Sequence, residues 1–302
     1  MPFLNGYTAP GTLAELEYHA TTPLEDYDLN WVYGSVPASL ETPGGVRLVP
    51  LIPSIHGRRL YRLLSAHPDS YAYLPYGPFA TYSAFLTKLE RVRADPNALS
   101  FAVYDLALDV TGVPGDDEED FDLEGGRGLR EERLAGIVGV KESRSENRMT
   151  EIGNVHIPPP FQRTHVSTHS ISLLLHWLLD PPSSEEATNL GLRRVQWFAN
   201  PLNEASVHAA ERLGFELEAR AIRWERTLPF GTGKIALDVP AFLLEDEDRL
   251  EVEQARGGGR HSTLLSIDWE RWHGGVRDFV DSTVDARPVT TRRIRDVHGL
   301  AL

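Results

Sequence analysis

MTEIGNVHIPPPFQRTHVSTHSISLLLHWLLD, residues 149–180, reads as a strand, a tight turn and an amphipathic helix. The apolar strand 150–157 stops at a run of prolines, which offer no N–H to a ladder. Behind the turn, Ile171, Leu174, Leu175 and Leu178 recur at i, i+3, i+4 and i+7, the stripe of a helix packed on a core. The first turn of such a helix leaves its backbone N–H groups without intrahelical partners. Its dipole adds positive potential at the same spot. A unit of this kind is a site for an anion, most naturally a phosphate or pyrophosphate.

Further strands are predicted at 46–53, 99–106, 134–142, 194–199, 215–227 and 260–267. A helix is predicted over 54–66, with Ser54 as its N-cap and Ile55, Leu60, Leu63 and Leu64 inward. Others follow at 81–93, at 203–213 with Gly214 as its left-handed cap, and at 268–280, weakened by Gly274 and Gly275. Residues 1–45 read as an irregular arm anchored by Trp31 and Tyr33, and 281–302 as a tail. The acidic, glycine-rich stretches 112–130 and 229–259 read as solvated insertions. This order gives a single mixed α/β domain over 46–280.

The net charge of -14 argues against nucleic-acid binding, which needs a basic face. With no Cys, disulfides and thiolate nucleophiles are excluded. No apolar run approaches the ~20 residues that span a bilayer. The N-terminus lacks the basic and apolar regions of a signal peptide, so the expected location is the cytoplasm.

The order of elements, with Gln162-Arg163-Thr164-His165-Val166-Ser167 between the fourth strand and third helix, resembles the GNAT (GCN5-related) N-acetyltransferase superfamily, and within it the RimJ/RimL-like branch. QRTHVSTHS is close to that branch's turn. Tyr73-Leu-Pro-Tyr-Gly-Pro-Phe79, Asn203-Glu-Ala-Ser206, Ala210-Glu-Arg-Leu-Gly-Phe215 and Ser266-Ile-Asp-Trp269 follow in matching order. The resemblance implies an α/β (α+β) GNAT fold. Its central mixed, mostly antiparallel sheet has about seven strands, is flanked by helices, and splays between the fourth and fifth strands. It also implies acetyl-CoA as donor, with the pyrophosphate of coenzyme A wrapped by Gln162, Arg163, Thr164, His165, Val166, Ser167 and Thr168. A protonated His165 would add a charge-assisted hydrogen bond there, or its ring would crowd the turn. His156 and Ile157 would end the strand beside the thioester path. Asn203 would cap the next helix, hold the pantetheine chain, or both.

Acyl transfer from a thioester to an amine needs a neutral amine, a donor for the oxyanion and a proton for the departing thiolate. Glu151 is the candidate base, through water. The resemblance places a hydroxyl near the sulfur at the start of the helix 203–213, which makes Ser206 the candidate acid; the tyrosine acid of many other GNATs is absent from this helix. Strand N–H groups around Asn154–His156 are candidate oxyanion donors. Tyr73 and Tyr76 are candidate walls of an acceptor pocket. His261 stands where relatives carry an acidic residue early in the closing strand. His165 and His169 have no evident carboxylate partner, so no metal site is expected. There is no P-loop, Gly-x-Ser-x-Gly elbow or His-Glu-x-x-His motif. The expected function is acetyl transfer to a primary amine, either a small amine or a peptide N-terminus. The alternative is a catalytically impaired GNAT fold that binds acyl-CoA or serves as an interaction module. Neither nucleic acid nor membrane is an expected partner, and the choice between monomer and homodimer stays open.

Overall fold

A computed structural model describes residue 6 and residues 18–110, 133–183, 188–228 and 257–293. All of the first predicted acidic insertion, most of the second, and parts of the arm and tail lie outside the described residues. Among the described residues, eight strands form one sheet: β1 (Leu40–Glu41), β2 (Val46–Pro50), β3 (Leu99–Asp105), β5 (Leu134–Arg144), β6 (Met149–His156), β7 (Arg194–Ala199), β9 (Gly258–Asp268) and β8 (Glu216–Leu228), in that spatial order. A small parallel pair, β4 (Leu108–Asp109) with β10 (Arg292–Arg293), sits apart from it. All neighbours in the large sheet are antiparallel except β6 and β7.

Strand alternation feeds two cores. On β3, Leu99, Phe101 and Val103 face one layer while Ala102 and Tyr104 face the other. The second layer is covered by α1 (Arg58–Ser65) and α2 (Tyr82–Arg93), the first by α3 (His165–Leu179) and the terminal helix α5 (Arg277–Asp285). A strand covered on both faces should be largely apolar, as β3 is from Phe101 to Tyr104. The arm joins the first core: Trp31 is buried against Trp177, and the Tyr33 hydroxyl donates to Met149 O at 2.8 Å.

Several boundaries moved. Ser54 does not cap the first helix. Its hydroxyl donates to Thr22 O at 2.6 Å, and a wide turn, Pro53–Gly57, precedes α1. Thr81 does cap α2, accepting from Ala84 N. Gly214 takes φ +81 behind α4 (Glu204–Glu211), as a left-handed cap requires. The glycine pair breaks the terminal helix outright: Gly275 stands at φ +130, and α5 restarts two residues later.

A polar latch ties α5 to α3. Asp180, at the C-cap of α3, accepts from Trp272 Nε1 (2.8 Å), Arg277 Nε (3.0 Å) and His176 Nδ1 (2.8 Å). His176 Nε2 contacts Asp281 Oδ1 at 2.8 Å. Burial alone would lower the pKa of His176, but Asp180 and Asp281 outweigh it and raise the value above 6.5. The stabilisation is therefore fully present below the unfolded-state pKa and is lost as pH rises through the raised folded value. Thermal melts should show a midpoint that falls across that window, and His176→Gln should flatten the fall. An unchanged slope in the variant would assign the dependence to another group.

Candidate active site

The ladder between β6 and β7 runs from Met149↔Arg194 to Ile152↔Trp197 and then stops. At the same level β6 bulges. Ile137 pairs with His156 and Gly139 with Gly153, so β6 has one more residue than β5 between these pairs. Asn154 takes the left-handed conformation (φ +52) that such a bend requires. Beyond it the two strands diverge, and a cavity of about 510 Å³ opens between them. That volume suits a small-molecule or cofactor site. It extends from the N-terminus of α3, across the parted edges, to α4 on one side and the Tyr73–Tyr76 loop on the other.

Of the predicted site residues, Glu151, Ser206, Ile157, Gln162, Arg163, Thr164, Ser167, Thr168, Asn203, Tyr73 and Tyr76 all line this cavity. His156, His165 and Val166 do not, and for each there is a physical reason. His156 faces the opposite side of the strand, where Nε2 meets Ser70 Oγ at 2.7 Å and the ring packs edge-on against Tyr71. It is a buried core histidine that does not line the cavity, contrary to the cofactor-binding role expected for it. The His165 ring neither reaches toward the cavity nor crowds the turn. It is buried inward, with Nε2 at 3.2 Å from Asp105 Oδ1 and 3.3 Å from Gly45 O, both acceptors, so Nε2 carries the proton. Burial pushes the Asp105 pKa up, but hydrogen bonds from His165 and Arg292 outweigh it and hold the carboxylate below its ordinary range. Val166 is a fully buried core residue, and its N–H is taken by Thr164 Oγ1 at 3.2 Å.

The turn is built from within. Gln162 Nε2 donates to Ile157 O at 2.8 Å and closes the loop after the prolines. Thr164 caps α3 and gives its own proton to Phe161 O at 2.7 Å, so its hydroxyl is not a free donor to a ligand. Arg163 holds φ +60, a conformation costly for any residue with a Cβ, and its exposed side chain lines the cavity. Arg212, just past α4, and Arg287, just past α5, line the cavity too. Arg287 is tied to α3 because its carbonyl accepts from His169 Nε2 at 3.0 Å. Sequence reasoning missed Arg212 and Arg287: isolated arginines near helix ends carry no motif, and only the fold brings them to one cleft.

At the other end, Glu151 is 1% exposed. Its Oε1 meets Lys141 Nζ at 2.9 Å, its Oε2 has no hydrogen-bond partner among the described residues, and Arg226 Nη2 is 3.9 Å from Oε2. Burial raises the pKa of Glu151, with Lys141 and Arg226 opposing the shift. Asn203 caps α4 by accepting from Ser206 N at 3.2 Å. Ser206 Oγ accepts from Trp197 Nε1 at 3.0 Å, which leaves its own proton free for another acceptor. Tyr76 stacks on Phe79 with ring centroids 6.3 Å apart, and Lys88 Nζ lies 4.5 Å from the Tyr76 centroid.

The acetyltransferase (GNAT) domain family matches residues 58–216, more than half of the chain. This chain belongs to the GNAT acetyltransferase family. It is therefore an acyltransferase whose donor is acetyl-CoA. A probable GNAT-family acetyltransferase from Chromobacterium violaceum shares its fold at a TM-score of 0.55 and 22% identity, over 89% of this chain and 100% of that one. A GCN5-related N-acetyltransferase from Brucella melitensis does so at 0.57 and 20%, over 87% and 94%. A putative acetyltransferase from T. thermophilus gives 0.55 and 22%, over 82% and 97%. Comparison with curated proteins finds no match.

The residues of this GNAT chain fit the cofactor. Past Ile152 the β6 edge has no β7 partner, as an extended amide chain lying between the strands requires. The α3 N-terminus and the Arg163, Arg212 and Arg287 guanidinium groups on the same cavity suit a group with several phosphates. No helix among the described residues is long and apolar enough to cross a membrane.

Proposed function

We propose that this protein acetylates a primary amine, on a small molecule or a peptide N-terminus, by direct attack of the amine on the thioester. The observation that carries this reading is the Glu151 carboxylate. It is buried on the cavity wall, with one oxygen held by Lys141 and the other left without a hydrogen bond among the described residues. An amine arrives as an ammonium and must lose a proton before it is a nucleophile. Glu151 Oε2 takes that proton, through water, and its raised pKa brings it closer to the range where a carboxylate works as a base. When bound, acetyl-CoA supplies the activated acyl group. Ser206 Oγ, oriented by Trp197 Nε1, holds the proton given up to the leaving sulfur. The bulge at Asn154 turns strand N–H groups out of the ladder, where they are candidate donors to the acyl oxygen. Gln162, Arg163, Ser167, Thr168 and Asn203 hold the donor, and Tyr73 and Tyr76 flank the acceptor.

The QRT turn and the motifs that follow it support placement in the RimJ/RimL-like branch. Residues 46–280 form the acetyltransferase domain, the working location is the cytoplasm, and the protein acts as a monomer or homodimer.

Calorimetric titration with acetyl-CoA is the first test, with micromolar affinity expected. No heat at millimolar ligand would eliminate both an enzyme and a CoA-binding module. Thiol release over a panel of amines then separates the two: binding without release on any amine leaves only the binder.

A further inference from the structure

Arg260 lines the cavity and is only 5% exposed. Among the described residues, the single hydrogen bond of its side chain runs from Nε to the carbonyl of the next residue, His261, at 3.3 Å. No carboxylate among the described residues lies within 4.0 Å of it. The nearby acids are already engaged. Glu151 is paired with Lys141 and approached by Arg226. Glu225 accepts from Ser262 Oγ at 2.7 Å and meets Arg226 Nε at 3.0 Å. Among the described residues, the charges that bear on Arg260 are Arg226, Glu225 and Glu151, and both carboxylates are already held by Lys141 and Arg226. Arg260 also pairs with Arg226 across β8 and β9. Burial, and then Arg226, pushes its pKa down, the mark of a cation short of a counter-charge. A buried arginine is ordinarily paired. Here Arg260 and Glu151, whose Oε2 has no hydrogen-bond partner among the described residues, line one cavity.

Resting on the acetyltransferase reading above, we propose that the acceptor is a small primary amine that also carries a carboxylate. Arg260 holds the carboxylate while the amine faces Glu151 Oε2. The guanidinium fork matches a carboxylate in a two-point geometry that a lysine does not reproduce. This assignment makes Arg260 a specificity-determining residue, and it disfavours acceptors that carry only positive charge.

The test uses the full chain, saturating acetyl-CoA, and acceptors matched in shape: glycine against ethylamine, β-alanine against propylamine, 4-aminobutyrate against butylamine. Thiol release should give a kcat/KM for at least one carboxylated member about 30-fold or more above its partner. Arg260→Gln should bring that ratio close to one while acetyl-CoA affinity, read by calorimetry, shows the fold intact. Arg260→Lys should retain part of the ratio. Equal use of both members, or a ratio that survives Arg260→Gln, overturns the inference. Should Arg260→Gln not fold, the wild-type ratio and the Lys variant decide. If only uncharged or cationic amines release thiol, the acetyltransferase reading stands and this inference fails. If no amine does so although acetyl-CoA binds, both fail.

Discussion

Glu151→Gln is expected to lower kcat for thiol release by about two to three orders of magnitude, the range a positioned general base supplies. Acetyl-CoA affinity should stay within about twofold, because the proposed roles put the base at the acceptor end and the donor on the turn and the arginines. Glutamine keeps the size and one acceptor oxygen but cannot take a proton, so the substitution isolates the proton-transfer role. The pH profile adds a second readout. Wild-type kcat should rise with pH through the raised pKa of Glu151 and then level off, whereas the Glu151→Gln enzyme should lack that acid limb. A bland role also accounts for the pairing: Glu151 would merely neutralise Lys141, which is 2.9 Å away. In that case Glu151→Gln would lower the melting temperature and leave kcat and its pH profile as they were, a result that would falsify the base assignment. Ser206→Ala should give a smaller loss, about tenfold to a hundredfold, since water can replace a hydroxyl as proton donor.

Asp180→Ala is the substitution with the largest expected cost in stability. An acidic residue at a helix C-terminus opposes the helix dipole. Asp180 is tolerated there because Arg277, Trp272 and His176 all donate to it. Those interactions, above all with His176 and Arg277, hold its pKa well below the ordinary carboxylate range against the upward push of burial. Deleting the carboxylate leaves the buried Trp272 N–H without its acceptor and leaves His176–Asp281 as the polar contact between α5 and α3. The orphaned Trp272 N–H costs about 1–3 kcal/mol, and the half-exposed Arg277 adds less than about 1. For a chain of this size that is roughly a 5 °C fall in melting temperature. Asp180→Asn, which keeps one acceptor, should lose less. If the alanine variant melts within a degree of wild type, the latch contributes nothing net and α5 is held by its apolar contacts alone.

The stretch 149–180 determined much by itself. Proline ends the strand, Thr164 caps the helix, and a 3.6-residue stripe buries one face, all through contacts within a few residues. Local interactions of this kind are encoded locally, so the helix start and the place of Gln162, Arg163, Ser167 and Thr168 beside it on the cavity could be read in advance. Asn203 as a cap and Gly214 as a helix stop were legible for the same reason. Which side a histidine faces was not. His165 and His156 each sit one residue from cavity-lining positions, and their direction is set by Asp105, 60 residues before His165, and by Ser70, 86 before His156. The burial of Glu151 and its pairing with Lys141 depend on strand register. The gathering of Arg212, Arg260 and Arg287 around one cleft depends on the chain returning from far along the sequence. Charge placement across a site is a long-range property, because the energy that fixes it comes from partners that only packing brings near.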